Sequence, residues 1–205
     1  VFLRASSHQL KTPVAAALLL VDSMINEIGK FKNTKEYLPK LREQLISIKK
    51  LVDEILNINA GEVRGMKEKV KINDMIMDIV RSREIEMEKR KISVRFNNNE
   101  IVIKSINSLL YKVIDNLINN AVKYSNDNGY IDIRLNEECL EIINYGSRIP
   151  DDILPHIFEA FVSGADNTGH GLGLYIVSYY CKILKYRVNI ENIENGVKYT
   201  LYFHK

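Results

Sequence analysis

Cysteine is scarce in this chain, with only Cys139 and Cys181 among 205 residues. The two lie far apart, form no C-x-x-C pair and sit in apolar-rich segments, so they read as reduced core thiols of a cytosolic protein and exclude a disulfide framework. Long hydrophobic runs are missing too. The longest, Val14 to Val21, falls far short of the roughly 20 residues a bilayer span needs. No signal peptide precedes it, and Val1 already stands in a helical pattern, so the chain reads as an excised piece whose parent could be membrane-anchored. Nor is there an excess of one charge. With 29 basic and 26 acidic residues the net charge is +3, which calls for neither nucleic acid nor a membrane surface as partner. Internal repeats and low-complexity segments are absent. What remains is 46% apolar and 27% charged, the composition of one large or two small globular domains with a proper core.

From Phe2 to about Ile28 the apolar positions Leu10, Val14, Ala17, Val21, Met24 and Ile28 recur at alternating fours and threes, as in an a/d seam. Leu38, Leu41, Leu45, Ile48, Val52, Ile55 and Asn59 continue the alternation after a polar Gly29 to Thr34 turn with a glycine stop. Two such helices form a hairpin with an exposed apolar stripe, and dimerisation into a four-helix bundle is the economical way to cover it. Periodicity is lost over Asn59 to Lys69, where Gly61 and Gly65 stand among charges. The domain boundary belongs there, giving 1–62 and 63–205.

The second part reads as a helix over about Ile72 to Arg90, then strands over Ile92 to Phe96 and Glu100 to Lys104. A helix over Asn107 to Tyr124 follows, with Leu109, Leu110, Val113, Ile114, Leu117, Ile118 and Ala121 on its inner face. Tyr130 to Leu135 and Leu140 to Ile143 alternate as a hairpin joined around Asn136. A short helix through Phe158, a polar loop Ser163 to His170, a helix over Gly171 to Leu184 and strands near Arg187 to Asn192 and Val197 to Phe203 complete the chain. Helices and antiparallel strands alternate without a βαβ rhythm, which indicates an α+β fold built as a two-layer sandwich.

Three stretches can carry chemistry. In Ser7 to Pro13, His8 and Thr12 share one helix face, and Pro13 frees the carbonyl of Gln9 and bends the helix just past the histidine. In Asn116 to Ser125, Asn116 and Asn120 are one turn apart, so two amide oxygens could hold a hydrated hard cation such as Mg²⁺, with Lys123 supplying a point charge for phosphate. Gly169-His170-Gly171-Leu172-Gly173-Leu174 opens a helix whose free N–H groups suit a phosphate, after a small, polar segment with the composition of a lid. The G-x-G-x-G spacing is not the dinucleotide fingerprint.

In this order the stretches resemble the bacterial sensor histidine kinases over nearly the whole chain. Ser7 to Pro13 looks like the phosphoacceptor box and Asn116 to Ser125 the asparagine box. Asn144 to Pro150 looks like the first glycine box, Phe158 to Phe161 the phenylalanine box and Gly169 to Leu174 the second glycine box. The resemblance implies a dimerising phosphotransfer hairpin followed by an ATP-binding domain of the fold shared with Hsp90-type and mismatch-repair ATPases. It implies that His8 accepts the γ-phosphoryl group of Mg-ATP and that Thr12 positions the water that dephosphorylates a partner response regulator. Asn120, assisted by Asn116, would hold Mg²⁺, Lys123 would contact phosphates and Tyr124 would flank the adenine. Gly171 and Gly173 would let the lid helix close on the triphosphate, with Gly169, Leu172 and Leu174 also among the ATP-binding residues and Phe158 and Phe161 anchoring the base of the lid. The same resemblance implies a homodimer, a response-regulator partner whose aspartate receives the phosphoryl group, and a place on the cytoplasmic face of the bacterial membrane.

The sequence departs from the family pattern at three positions. Gln9 stands where the family usually has Glu or Asp; its amide can accept a hydrogen bond from the imidazole but cannot take up a proton. A histidine with a pKa of about 6.5 is already mostly neutral near pH 7, so the expectation is slow autophosphorylation. Asn144 replaces the usual Asp that reads the adenine amino group; its amide can serve adenine and, flipped, would suit guanine. Arg148 replaces a second glycine and leaves Gly146 as the flexible point. Intact Thr12 beside Gln9 also fits a phosphatase-biased member. A dimeric module that binds ATP without turnover fits the nucleotide motifs, and an Hsp90-like ATPase would have no need of the histidine-bearing hairpin.

Overall fold

The computed structural model describes residues 2–59, 65–97, 99–162 and 171–204, and omits the side chains of residues 2–10, 12, 47, 50, 51 and 54–59. Helix α1 (Phe2–Ile25) runs through Pro13, and α2 (Thr34–Asn59) returns beside it. The stop of α1 differs from the expected glycine stop. Glu27, at φ 50°, is the left-handed residue; its amide donates to the Met24 carbonyl (3.3 Å) and the Ile28 amide to the Ser23 carbonyl (3.0 Å). This paired closure satisfies two end carbonyls, and Gly29 only opens the following 3₁₀ turn, Gly29–Lys32.

The hairpin seam is also narrower than the spacing suggested. Ala17, Met24 and Tyr37 are buried and Leu41 and Ile48 half-buried, whereas Leu38 and Leu45 stay exposed. A straight helix at 3.6 residues per turn drifts from a strict 3.5 repeat. One stripe of α2 therefore meets α1 while an adjoining one stays open.

In the second part, β1 (Glu68–Lys71) pairs antiparallel with β3 (Val102–Ser105) as a two-stranded ribbon. Its only buried residue is Val70 between lysines, which is why alternation failed to reveal it. The single helix expected over Ile72 to Arg90 is two, α3 (Ile72–Arg81) and α4 (Glu84–Arg90). At the break, Ser82 Oγ (2.7 Å) and Arg83 Nη1 (3.0 Å) both donate to the Ile79 carbonyl, competing with the backbone amides that would continue the helix.

The main sheet has the order β2-β4-β5-β7-β6, with β2 (Ser93–Phe96), β4 (Tyr130–Leu135), β5 (Cys139–Tyr145), β6 (Arg187–Ile193) and β7 (Gly196–Tyr202). The expected absence of a βαβ rhythm is corrected at one place: β2 and β4 are parallel, with β3 and α5 (Asn107–Tyr124) in the connection. The other neighbours in this sheet are antiparallel. Helix α5 matches its sequence pattern, since all seven predicted inner residues are buried. Together with α3 and α6 (Gly173–Leu184) it contributes to the core shared with Ile131, Ile133, Leu140, Ile142, Val197 and Leu201 of the sheet. The short helix expected through Phe158 is only a 3₁₀ turn, Leu154–His156. The polar loop Ser163 to His170 lies outside the described residues.

Candidate functional site

Helix α5 carries four of the predicted residues along its second half. Asn116 donates from Nδ2 to the Lys112 carbonyl one turn back (2.8 Å), which turns its Oδ1 toward the start of α6. A Cβ placed on Gly173 would lie 2.9 Å from that oxygen, so glycine is what lets α6 begin against Asn116. Asn120, one turn on, is half-buried, and the Lys123 ammonium lies 4.8 Å from the centre of the Tyr124 ring.

Gly171 is left-handed (φ +65°), and its carbonyl accepts from the Phe161 amide (2.9 Å). A Cβ there would meet the Phe161 carbonyl carbon at 2.6 Å and the Val162 oxygen at 2.7 Å. The phenylalanine and second glycine boxes are thus packed backbone to backbone. Leu172 is buried and Leu174 packs against the core, so both anchor the start of α6. The apolar N-cap residue Leu172 makes no side-chain cap, and the first amides of a helix seek acceptors such as phosphate oxygens.

The opposite end of the site is built around Asn144. On β5, Leu140, Ile142 and Asn144 alternate into the helix-facing layer, and Asn144 is fully buried between its register partners Ile131 and Val197. Its Nδ2 donates to the Ser147 hydroxyl (2.7 Å) and the Tyr124 carbonyl (3.3 Å), while Oδ1 has no partner. A carbonyl only accepts, so the amide nitrogen must face Tyr124 and the oxygen is left facing away. A buried, unpaired oxygen of this kind costs about 1–3 kcal/mol. Next in the chain, Gly146 is left-handed (φ +87°), and its amide donates to Asn195 (2.8 Å). Arg148 is turned to solvent, paired with exposed Asp151 at 2.9 Å.

These residues meet at two joints: Asn116 against Gly173, and Asn144 against the Tyr124 backbone. The backbone of His8, Gln9 and Thr12 lies in α1, but their side chains are outside the described set, as is Gly169 altogether. Among the described residues no three His, Cys, Asp or Glu side chains converge on a metal position, so a cation at Asn116 and Asn120 would be held by neutral amides. Burial pushes the Cys181 thiol up to about 12, and burial also raises that of Cys139. Both therefore stay protonated and unreactive at neutral pH. Cys181 is the core thiol expected, whereas Cys139 is only half-buried, at the start of β5.

One residue escaped the sequence reading. Asn192 on β6 brackets Ile149, accepting from its amide (2.9 Å) and donating to its carbonyl (2.8 Å), and so holds the loop after Gly146 to the sheet. A poor strand former inside a predicted strand was the available signal.

Comparison with known proteins places the fold in a family. The model of the His Kinase A (phospho-acceptor) domain matches residues 1–62, and that of the histidine kinase-, DNA gyrase B- and HSP90-like ATPases matches residues 105–205. The sensor histidine protein kinase HK06 of Streptococcus pneumoniae serotype 2 is 30% identical over 98% of this chain and 46% of its own length. The heme sensor protein HssS of Staphylococcus haemolyticus is 25% identical over the same shares. The chain thus spans about half the length of the curated relatives it matches. Among solved structures, the Acinetobacter baumannii histidine kinase AdeS superposes with a TM-score of 0.78 at 20% identity, over 95% of this chain and 96% of that one. Among the described residues no helix is long and apolar enough to cross a membrane. The chain belongs to the sensor histidine kinases of two-component signalling and carries their catalytic portion, a phospho-acceptor hairpin followed by an ATP-binding domain.

Proposed function

We propose that this portion works as an ATP-dependent protein-histidine kinase with His8 as acceptor, its hairpin comprising residues 1–62 and its catalytic domain residues 63–205. A ring nitrogen of His8 forms a bond to the γ-phosphorus as the bond to the β,γ-bridging oxygen breaks and ADP leaves. The phosphoryl group then passes to a response-regulator aspartate, and Thr12 positions the water that hydrolyses the resulting aspartyl phosphate to free carboxylate and inorganic phosphate. Phosphoryl transfer asks mainly for positioning and charge neutralisation. Asn120, with Asn116 beside it, would hold Mg²⁺, which supplies neutralisation of the phosphate charge when bound. Lys123 contacts the phosphates, Tyr124 flanks the base, and Gly171 and Gly173 let the lid close on the triphosphate.

The observation that carries the reading is the partnerless Oδ1 of buried Asn144. With Nδ2 committed to Tyr124 and Ser147, the free oxygen accepts the 6-amino group of adenine and repels the 6-oxo group of guanine, which favours ATP over GTP. The exposed apolar stripe of the hairpin supports a homodimer. A solved complex of the histidine kinase ThkA with the response regulator TrrA (TM-score 0.74, 21% identity, 96% of this chain and 58% of that one) shares the fold. The parent protein is placed at the cytoplasmic face of the membrane through a part outside this chain.

Incubation with γ-labelled ATP and Mg²⁺ tests the proposal. Acid-labile, base-stable label is expected, slowly formed, and absent after His8→Ala. Label that persists in the mutant overturns the assignment of His8. ATP binding with no label in either protein identifies a binding module instead. Fast phosphate release from a phosphorylated regulator beside weak labelling identifies the phosphatase-biased form that Gln9 and Thr12 suggest.

A further inference from the structure

We infer that Arg90, on α4 and outside the nucleotide site, is a positioning residue for the adenine end of that site; the inference rests on the nucleotide reading above. Helix α5 ends at Tyr124 without a left-handed cap, since Ser125 is extended (φ −68°, ψ 150°). Its final carbonyls therefore need outside donors. Arg90 provides them from more than thirty residues away. Its Nη1 donates to the carbonyls of Val122 (2.7 Å) and Lys123 (3.4 Å), and its Nη2 to that of Ser125.

The one carbonyl in this run that Arg90 leaves alone is that of Tyr124, and it is the one that takes Nδ2 of Asn144. The guanidinium and the base-reading amide thus divide the same turn between them. Arg90 is itself held at both ends. Its Nε donates to Asp127 Oδ1 (2.8 Å), and its own carbonyl accepts from the Asn128 amide (2.9 Å). A cation at a helix C-terminus also complements the helix dipole.

The consequence is specific. Without the fork, three carbonyls lose donors and the last turn of α5 is released. The Tyr124 oxygen then no longer dictates which way the Asn144 amide points, so adenine loses its fixed acceptor. The triphosphate end lies elsewhere: Asn116 is six residues before Val122, about 9 Å up the helix, and its side chain is held by the Lys112 carbonyl and closely approached by Gly173. Lysine at position 90 keeps the charge but cannot form the fork.

The test uses adenosine, Mg-tripolyphosphate, ATP and GTP as probes, measured by calorimetry on the whole chain carrying Arg90→Ala, Arg90→Lys or Asp127→Asn. Arg90→Ala is expected to weaken adenosine and ATP about tenfold, the loss of one or two net hydrogen bonds, and to cut the ATP-over-GTP preference. Tripolyphosphate affinity is expected to stay within about twofold of the parent protein, with Arg90→Lys losing most of what alanine loses. Should Arg90→Ala not fold, Arg90→Lys and Asp127→Asn carry the comparison. The inference is overturned if adenosine affinity is unchanged, if adenosine and tripolyphosphate weaken together, or if lysine restores the parent values in full. A parent protein that binds neither probe overturns the nucleotide reading itself.

Discussion

In α5 the seven core positions are at most 6% exposed, while in the hairpin Leu18, Leu38 and Leu45 remain 57%, 53% and 54% exposed. Both segments are amphipathic helices of one chain, yet only the sandwich closes its core within that chain. The hairpin leaves Val14, Leu18, Leu19, Ile25, Ile28, Leu38, Leu45 and Ile46 uncovered. Fully burying each such side chain stabilises by about 1.5–3 kcal/mol. Even half of that for each, summed over two copies, exceeds the lower part of the roughly 4–15 kcal/mol cost of association. The difference sets the two halves apart: the sandwich buries its core within the chain, whereas the hairpin leaves an apolar stripe that the proposed homodimer would cover.

The strongest test of this contrast is Leu18→Glu combined with Leu45→Glu. Light scattering should show a monomer in place of a dimer, while chemical unfolding of the sandwich shifts by less than about 0.5 kcal/mol. A persisting dimer would remove the contrast. Next in size, Gln9→Glu should accelerate label incorporation about 100-fold, within the range for general-base assistance. ATP affinity should stay unchanged, because the gain lies on the hairpin alone; an unchanged rate means that Gln9 does not limit transfer.

On the sandwich side, Gly171→Ala should weaken ATP binding about tenfold or more. It forces a side chain into a left-handed position and against the Phe161 and Val162 backbone, with strain of about 1–3 kcal/mol. Calorimetry measures it, and dimerisation should not move. Smaller at any one pH near 9, though comparable when summed over its whole range, is the effect of Cys181. Its folded pKa, pushed up to about 12, lies above the ordinary 9.0, so both states are protonated below pH 9 and only the unfolded state ionises as pH rises from there. Sandwich stability should fall by about 1 kcal/mol per pH unit between 9 and 12 on this account, and Cys181→Ala should flatten that part of the profile. Smallest is Glu27→Gly, which relieves a left-handed non-glycine at the end of α1. It should stabilise the hairpin by up to about 1 kcal/mol in thermal unfolding, with the sandwich unaffected.

Strong periodicity was legible and weak periodicity was not. Helix α5 was readable to the residue because its apolar face repeats for five turns. Strand β1 was hidden because one valine among lysines makes no alternation, and the α3–α4 break because it depends on two side chains sharing the Ile79 carbonyl. In place of the glycine stop expected after the first helix stands Glu27, and Lys91 and Lys185 likewise end α4 and α6 at positive φ. A chain with ten glycines spends them elsewhere, as at Gly146 and Gly171, where the backbone is left-handed and crowded.

The order of the motifs by itself determined the family resemblance, the two-part α+β plan and the residues to examine, because apolar period and motif spacing are local properties of the chain. It left open which way the Asn144 amide points. Only the tertiary structure decided that, since the deciding group is the Tyr124 carbonyl twenty residues away, in a turn held by Arg90 from farther still. Such a choice rests on hydrogen-bond partners that the fold brings together, and no local pattern records it.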